Sequence, residues 1–166
     1  SKSDIPRVII TGTGSGGVNR AVAYAKILKD TKNLNFVVDF CLIDSNEPHL
    51  LEAEHQINQF LSGSNVKTFT IGEKRMGSGC NIQSAKDWYI AKREEIKKFF
   101  SETDYIHGTC TSALGMGTGT ATAELVVEDM REAKIITFAQ LAQCATSNGS
   151  LMPHQAEWVQ DVLKIF

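Results

Sequence analysis

Five short runs of apolar, often β-branched residues alternate along this chain with longer stretches whose apolar residues recur at helical spacing. Such alternation is typical of a parallel sheet that is covered by helices on both faces. The sequence therefore predicts an α/β fold with three αβα layers and a Rossmann-like, doubly wound parallel sheet in the strand order 3-2-1-4-5. The predicted strands are 7–11, 36–43, 66–71, 105–109 and 134–139, and the predicted helices are 18–30, 47–61, 82–100, 121–131 and 153–166.

The composition narrows the class of protein. The chain has 166 residues, which is about the length of one domain, and a net charge of −2, which argues against a nucleic-acid partner. It has no apolar run of the length that crosses a bilayer, so we expect no membrane insertion. The cysteines lie far apart in sequence and form no C-x-x-C pair, which favours reduced, buried thiols and a cytoplasmic location. They are Cys41, Cys80, Cys110 and Cys144.

Glycine-rich stretches follow the first, third and fourth predicted strands, at 12–17, 77–79 and 115–119. Because the carboxyl ends of parallel strands lie at one edge of a sheet, we expect the three stretches to share one rim. Glycine lets backbone N–H groups come close to an anion, and the helices that follow add their positive N-terminal dipoles. The sequence thus predicts a cradle for phosphates. Gly17 is followed by Val18 and Asn19 rather than by a P-loop lysine.

The first glycine stretch alone supports a different function. Gly12, Gly14 and Gly17 match the G-x-G-x-x-G pattern between a strand and a helix. Asp44 ends the second predicted strand, where a dinucleotide-binding fold places the acid that binds ribose. An NAD(P)-dependent oxidoreductase, or a fragment of one, is therefore an alternative, and it would bind NADH without a requirement for Mg²⁺.

The other two stretches resemble one particular family. GMGTGTA at 115–121 resembles the signature G-G-G-T-G-[ST]-G of the tubulin and FtsZ family of GTP-binding filament proteins. MGSGCN at 76–81 is similar to that family's third-strand loop, and both stand in the family's order behind a matching first glycine stretch. The resemblance covers nearly the whole chain. It implies that residues 1–166 form one tubulin/FtsZ-type GTPase domain that stops before the family's central helix.

The resemblance also implies a ligand and a set of contacts. The implied cofactors are GTP or GDP and Mg²⁺, with the phosphates held by backbone amides and two threonine hydroxyls. No catalytic residue and no metal ligand is assigned within the chain. The implied nucleotide-binding residues are Gly14, Ser15, Gly16, Gly17 and Asn19 in the first stretch, Gly77, Ser78, Gly79 and Cys80 in the second, and Gly115, Met116, Gly117, Thr118, Gly119 and Thr120 in the third.

The function that the resemblance implies is that of a subunit in a head-to-tail cytoskeletal filament. Hydrolysis would be completed by an acidic loop of the neighbouring subunit, so we expect this chain alone to be inactive. Met116 and Ala121 replace glycines of the signature, and they leave open a second alternative, a nucleotide-free assembly protein on the same fold. We also expect the chain to expose the face that the central helix would cover, and to form oligomers for that reason.

Several remaining polar and aromatic residues receive structural interpretations. His107 and Cys110 have an H-x-x-C spacing, but two further metal ligands are not evident, so we expect both to pack in the fold. Trp88 and Tyr89 are expected in or beside the core. Three strand-end acids are expected to be solvated, namely Asp39, Asp44 and Asp104.

Overall fold

The computed structural model describes residues 5–72, 81–114 and 117–143, and within these ranges strands and helices alternate. All neighbouring strands are parallel, and their order is β3-β2-β1-β4-β5. The predicted α/β class, the doubly wound parallel sheet and the strand order are therefore confirmed. The strands are β1 (Arg7–Thr13), β2 (Val37–Asp44), β3 (Val66–Thr70), β4 (Tyr105–Leu114) and β5 (Ile136–Gln143), and the helices are α1 (Gly14–Lys29), α2 (Glu47–Phe60), α3 (Ile82–Glu102) and α4 (Gly117–Glu132).

Each face of the sheet carries its own hydrophobic core, as successive residues of a strand point to opposite faces. On one face the strand residues Phe40 and Leu42 pack with Leu50 of α2 and with α1. On the other face Ile9 and Ile43 pack with residues of α3 and α4. The three predicted layers are thus present, with α1 and α2 on one side and α3 and α4 on the other.

The starts of α1 and α4 differ from the sequence prediction. The helices were predicted to begin at Val18 and Ala121, but they begin at Gly14 and Gly117. The prediction was wrong because glycine and threonine have low helix propensity, and tertiary packing overrides that propensity here. A Cβ atom on Gly17 would lie 2.4 Å from the Thr111 carbonyl oxygen, so a larger residue would not fit this close approach of helix and strand. The predicted glycine loops are therefore largely the first turns of helices.

Two of the three strand-end acids are buried rather than solvated. Asp39 is fully buried, and its carboxylate accepts hydrogen bonds from Arg7, the Tyr105 hydroxyl and the Asn65 amide. Asp44 is 3% exposed. The expectation of solvated carboxylates was wrong for these two residues because neighbouring elements supply donors that a sequence pattern does not reveal. Asp104 is exposed, as expected.

A second buried carboxylate joins α3 to α4. Asp129 of α4 accepts a hydrogen bond of 2.8 Å from the buried Tyr89 hydroxyl and another of 3.0 Å from Arg93 Nε. Burial, together with the charge of Asp129, raises the pKa of Tyr89. Tyr89 is a core residue, as predicted, and Trp88 packs against the same core. Helix α3 is thus fixed to α4 by polar as well as apolar contacts.

Cys41 and Cys110 are free and buried, which confirms the expectation for the two cysteines that lie in the described residues. Burial raises the pKa of the Cys110 thiol to about 12 and raises that of Cys41 as well. Since the thiolate is the reactive form, both residues should be inert in the folded chain.

We expect a Cys80→Ser/Cys144→Ser variant, which keeps only Cys41 and Cys110, to resist labelling by a thiol reagent at about pH 8 until it is unfolded. Labelling followed with and without guanidinium measures this directly. Reaction of the folded variant at the rate of a small free thiol would contradict the expectation.

Two further observations concern the surface of the described residues. No helix among them is both long enough and apolar enough to span a bilayer. On β5, Ile136 and Phe138 are 66% and 60% exposed, so the described residues leave one side of this strand without cover.

Candidate functional site

The N-termini of α1 and α4 meet at the carboxyl ends of two neighbouring strands of the sheet. Their strands, β1 and β4, are neighbours, and Thr13 at the end of β1 is level with Ser112 of β4. Gly14 has a φ of +75°, and a Cβ atom placed on it would lie 2.6 Å from the Gly119 backbone nitrogen. The first turns of the two helices are therefore in direct backbone contact, and a side chain at position 14 would push them apart.

Other glycines of the two stretches are also required by close packing. A Cβ atom on Gly16 would lie 2.4 Å from the Ala113 Cβ, and one on Gly119 would lie 2.6 Å from the Ser112 Oγ. Both contacts are to β4, near its carboxyl end. The glycines thus allow the two helix starts to pack tightly against the rim of the sheet. Close packing explains why glycine is needed at these positions, in addition to the predicted role in binding.

Backbone amides at these helix starts are suited to an anion. The first N–H groups of a helix have no acceptor within the helix, and the helix dipole adds partial positive charge there. The side chain of Thr13, the N-cap of α1, forms no capping hydrogen bond, and neither α1 nor α4 has an acidic residue in its first turn. In contrast, α2 is capped by Asn46 and has Glu47 in its first turn. We call the converging starts of α1 and α4, residues 14–17 and 117–120, the cradle.

Buried hydroxyl groups connect the start of α4 to the ends of two strands. The Thr122 hydroxyl donates to the Thr118 carbonyl oxygen over 2.7 Å, so in its 2.6 Å contact with the Thr13 hydroxyl it is the acceptor. The Thr118 hydroxyl lies 3.5 Å from that of Ser45, which follows β2. These contacts link α4 to the ends of β1 and β2 and fix the orientation of its first turn.

A second polar cluster lies where α1 and α2 face each other. The imidazole of His49 lies between Asp44 and Asn19, with 3.3 Å from Nδ1 to the Asp44 Oδ2 and 2.8 Å from Nε2 to the Asn19 Oδ1. The other oxygen of Asp44 accepts a hydrogen bond of 2.8 Å from the Ser45 amide. Because Ser45 also contacts Thr118, this cluster is continuous with the cradle.

The structure brings the first predicted stretch together with residues 117–120 of the third, and the second lies outside the described residues. In the cradle, Ser15 is exposed and Gly16 half-buried, and Asn19 is exposed on the next turn of α1. The roles of all these residues in binding a nucleotide stay predictions. The buried members are Gly14, Gly17, Gly117, Thr118, Gly119 and Thr120, and the predicted residues outside the described ranges are Gly77, Ser78, Gly79, Cys80, Gly115 and Met116.

Sequence reasoning missed Ser45 and His49. Both follow the carboxyl end of β2, so the rule that located the glycine stretches at one rim applies to them as well. A usable signal was present, because Asn46 accepts a hydrogen bond from the His49 amide as the N-cap of α2, and N-cap residues are recognisable in sequence.

No group of His, Cys, Asp and Glu side chains that could hold a metal ion is present among the described residues. The His107 ring packs edge-on against Phe138, with the ring centroids 6.2 Å apart. The Cys110 thiol is buried and lies 3.9 Å from the Ala123 carbonyl oxygen. Both residues pack in the fold, as predicted.

Comparison with solved structures identifies the fold. The chain is similar to the FtsZ dimer from M. jannaschii, with a TM-score of 0.73 and 18% identity over 99% of this chain and 43% of that one. It is also similar to GDP-bound monomeric CetZ1 from Haloferax volcanii, with a TM-score of 0.72 and 14% identity over 96% of this chain and 47% of that one. The protofilament of TubZ from bacteriophage PhiKZ has a TM-score of 0.62 at 14% identity, over 96% of this chain and 43% of that one.

These similarities show that the chain has the tubulin/FtsZ-like fold, a Rossmann-like α/β domain, as the resemblance of its glycine stretches implied. The chain spans less than half the length of each of these proteins. No protein-family model matches its sequence, and no curated protein does.

Proposed function

We propose that this chain binds a guanine nucleotide in the cradle. The observation that carries the proposal is the contact between the starts of α1 and α4, in which Gly14 and Gly119 meet so closely that a Cβ atom would not fit. Two sets of first-turn amides are thereby directed to one place on the rim, and phosphates are the ligands for which such amides are suited.

The residues of the cradle fit the phosphates of GTP or GDP. Amides of residues 14–17 would hold one part of the phosphate chain, and those of residues 117–120 would hold the rest, with the hydroxyls of Thr118 and Thr120 nearby. Neither half of the cradle contains a lysine or arginine. Mg²⁺ bound with the nucleotide would supply the missing positive charge.

The wider role that we propose is that of a subunit in a head-to-tail filament in the cytoplasm. Solved structures with this fold include a CetZ2 protofilament with GTPγS bound and the TubZ protofilament. A contact between two different faces of a subunit does not close and so extends into a filament. GTP hydrolysis would be completed by a neighbouring subunit, so we expect the isolated chain to bind GTP without turning it over.

The oxidoreductase alternative is less well supported by the geometry. In an NAD(P)-dependent oxidoreductase, Asp44 would bind the ribose. Its side chain is buried, with Asp44 only 3% exposed, and its two oxygens face the Ser45 amide and the His49 ring. A carboxylate that is buried and already bonded is poorly placed to receive the two hydroxyls of a ribose.

Equilibrium binding of fluorescent GTP, ATP and NADH, each with and without Mg²⁺, tests the proposal. We expect GTP to bind best and Mg²⁺ to strengthen its binding. Binding of NADH alone would contradict the proposal and favour an oxidoreductase. Binding of none of the three would favour a nucleotide-free assembly protein.

A further inference from the structure

Exposed apolar side chains collect at the end of the sheet opposite to the cradle. Helix α1 runs back from the carboxyl end of β1, so its last turn lies near the amino ends of the strands, where β2 begins. The apolar residues at this end are between 36% and 63% exposed, and they are Ile5, Ile27, Leu34 and Phe36. A single exposed apolar residue is ordinary, whereas a contiguous group of them marks an interaction surface.

A surface groove connects the turn before β2 to both neighbouring helices. Leu34 and Phe36 line this groove of about 330 Å³, together with Leu28 of α1 and Phe60 of α2. Ile27 precedes Leu28 on α1 but does not line the groove. The apolar surface therefore continues from the groove onto the outside of α1.

Ile5 extends the apolar surface in the other direction. The Pro6 carbonyl oxygen accepts a 2.9 Å hydrogen bond from the Val37 amide, so the residues before β1 run beside those before β2. Ile5 is thereby brought close to Phe36, and it too lies outside the groove. A peptide side chain that filled the groove would leave Ile5 and Ile27 exposed, whereas a broad apolar partner would contact both.

Three exposed lysines surround these side chains. Lys26 and Lys29 lie in the last turn of α1, and Lys32 lies in the turn that follows. The Lys29 Nζ is 5.7 Å from the centre of the Phe60 ring, at the groove. None of the three forms an ion pair with a described residue, and the one acid in this stretch of sequence is Asp30. The surface is thus positive in a chain whose net charge is −2, which favours an anionic partner.

We propose that this surface, which we call the amino-end patch, binds the surface of an anionic lipid bilayer. Lysines and exposed apolar side chains on one face are the two components that peripheral membrane-binding segments combine. The lysines meet the anionic headgroups, and the apolar side chains meet the boundary between headgroups and acyl chains. Binding of this kind lies on the bilayer and does not cross it. The patch consists of Ile5, Lys26, Ile27, Lys29, Lys32, Leu34 and Phe36.

Cosedimentation of the whole chain with lipid vesicles tests the inference. We expect the chain to bind vesicles of about one-third phosphatidylglycerol and two-thirds phosphatidylcholine, and not vesicles of phosphatidylcholine alone. Most of the binding should be lost at about 1 M salt, where exposed charges are screened beyond about 3 Å. The assay contains no nucleotide, so its outcome is independent of the proposed function. Failure to bind the mixed vesicles at low salt would overturn the inference.

A charge variant locates the binding surface. It replaces the three lysines of the patch by glutamine, and we expect it to bind the mixed vesicles at least about tenfold more weakly, since each lysine near an anionic surface contributes about fivefold. The control removes the same charge from α3, by Lys92→Gln, Lys97→Gln and Lys98→Gln, and should lose less than about threefold. Equal losses in the two variants would show that net charge alone governs the binding, and would overturn the inference.

An apolar variant distinguishes a bilayer from an acidic macromolecule. We expect Ile27→Ser combined with Leu34→Ser to weaken vesicle binding by about tenfold, because both side chains lose apolar contact with the lipid. Leu51→Ser combined with Ile90→Ser is the control, since these residues are 54% and 55% exposed on α2 and α3. Both double variants should keep the unfolding midpoint of the wild-type chain in urea, as all four side chains are exposed. Binding that depended on the lysines but not on Ile27 and Leu34 would indicate an acidic macromolecule as the partner and would overturn the lipid assignment.

Discussion

Replacing Gly14 by alanine is expected to abolish detectable GTP binding and to lower the free energy of unfolding by about 2–4 kcal/mol. Two effects add at this position. The φ of +75° is unfavourable for any residue with a Cβ atom, and that atom would lie 2.6 Å from the Gly119 nitrogen and 2.8 Å from the Gly119 Cα. Because the obstruction is backbone, it cannot rotate away. The starts of α1 and α4 must separate, and the amides of the cradle would no longer converge.

A matched glycine allows this effect to be separated from the general cost of the substitution. Gly63 lies in the turn before β3, and a Cβ atom on it would meet nothing within 4 Å. We expect Gly63→Ala to change the free energy of unfolding by no more than about 0.5 kcal/mol and to leave the Kd for GTP unchanged. Chemical denaturation and the fluorescent nucleotide assay give both quantities. If Gly14→Ala bound GTP as tightly as Gly63→Ala, the cradle would not be the binding site.

The overall fold is well determined by local patterns, as β1 and β2 illustrate. Their central residues are apolar on both faces, so both read as buried parallel strands, and short turns separate them from helices of suitable length. Once five such units follow one another, the handedness of the connections leaves few sheet orders, and the predicted one is present.

The helix starts were harder to predict for a physical reason. Residues 14–17 and 117–120 consist of glycine, serine and threonine, which by themselves favour turns. Their helical conformation depends on contacts from other parts of the chain, such as that between Gly16 and the Ala113 Cβ. A local pattern cannot reveal such a contact. Both stretches were nevertheless placed correctly at one rim of the sheet, because that inference needs only the positions of the strand ends.

Single polar residues were the least predictable part of the site. His49 lies within hydrogen-bonding distance of Asn19, thirty positions earlier in the chain, only because α1 and α2 pack side by side. The N-cap residue Asn46 places His49 in the first turn of α2, but no sequence pattern shows which residue of α1 its ring contacts. Its partners become evident only after the packing of the two helices is known.

Asp39→Ala is the second substitution for which we expect a large effect, a loss of about 3–5 kcal/mol in the free energy of unfolding. The carboxylate is fully buried near the amino end of β2, at the opposite end of the sheet from the cradle. It receives 2.9 Å and 3.0 Å hydrogen bonds from Arg7 and one of 2.9 Å from the Tyr105 hydroxyl. The sheet register brings these three residues together. Arg7 is level with Tyr105 on β4, and Ile9, two residues after Arg7 on β1, is level with Asp39.

Removal of this carboxylate leaves the Arg7 guanidinium, the buried Tyr105 hydroxyl and the Asn65 amide without their acceptor. Asp104→Ala is the control, because Asp104 is an exposed acid that was expected in sequence to behave like Asp39. We expect that variant to lie within about 0.5 kcal/mol of the wild-type chain. Equal and small effects of the two substitutions in urea denaturation would contradict the structural account of Asp39.

A double substitution separates the cost of the stranded charge from that of the cavity. If the uncompensated guanidinium of Arg7 accounts for most of the loss, then Arg7→Met combined with Asp39→Ala should be more stable than Asp39→Ala alone, since no charge is left unpaired. If the cavity left by the Asp39 side chain accounts for most of the loss, the double variant should be no more stable than Asp39→Ala. We expect the first result, because Arg7 makes two of the hydrogen bonds to the Asp39 side chain and its own pKa is raised chiefly by that bonding. Since the cradle lies at the other end of the sheet, the folded fraction of each variant should bind GTP with the affinity of the wild-type chain.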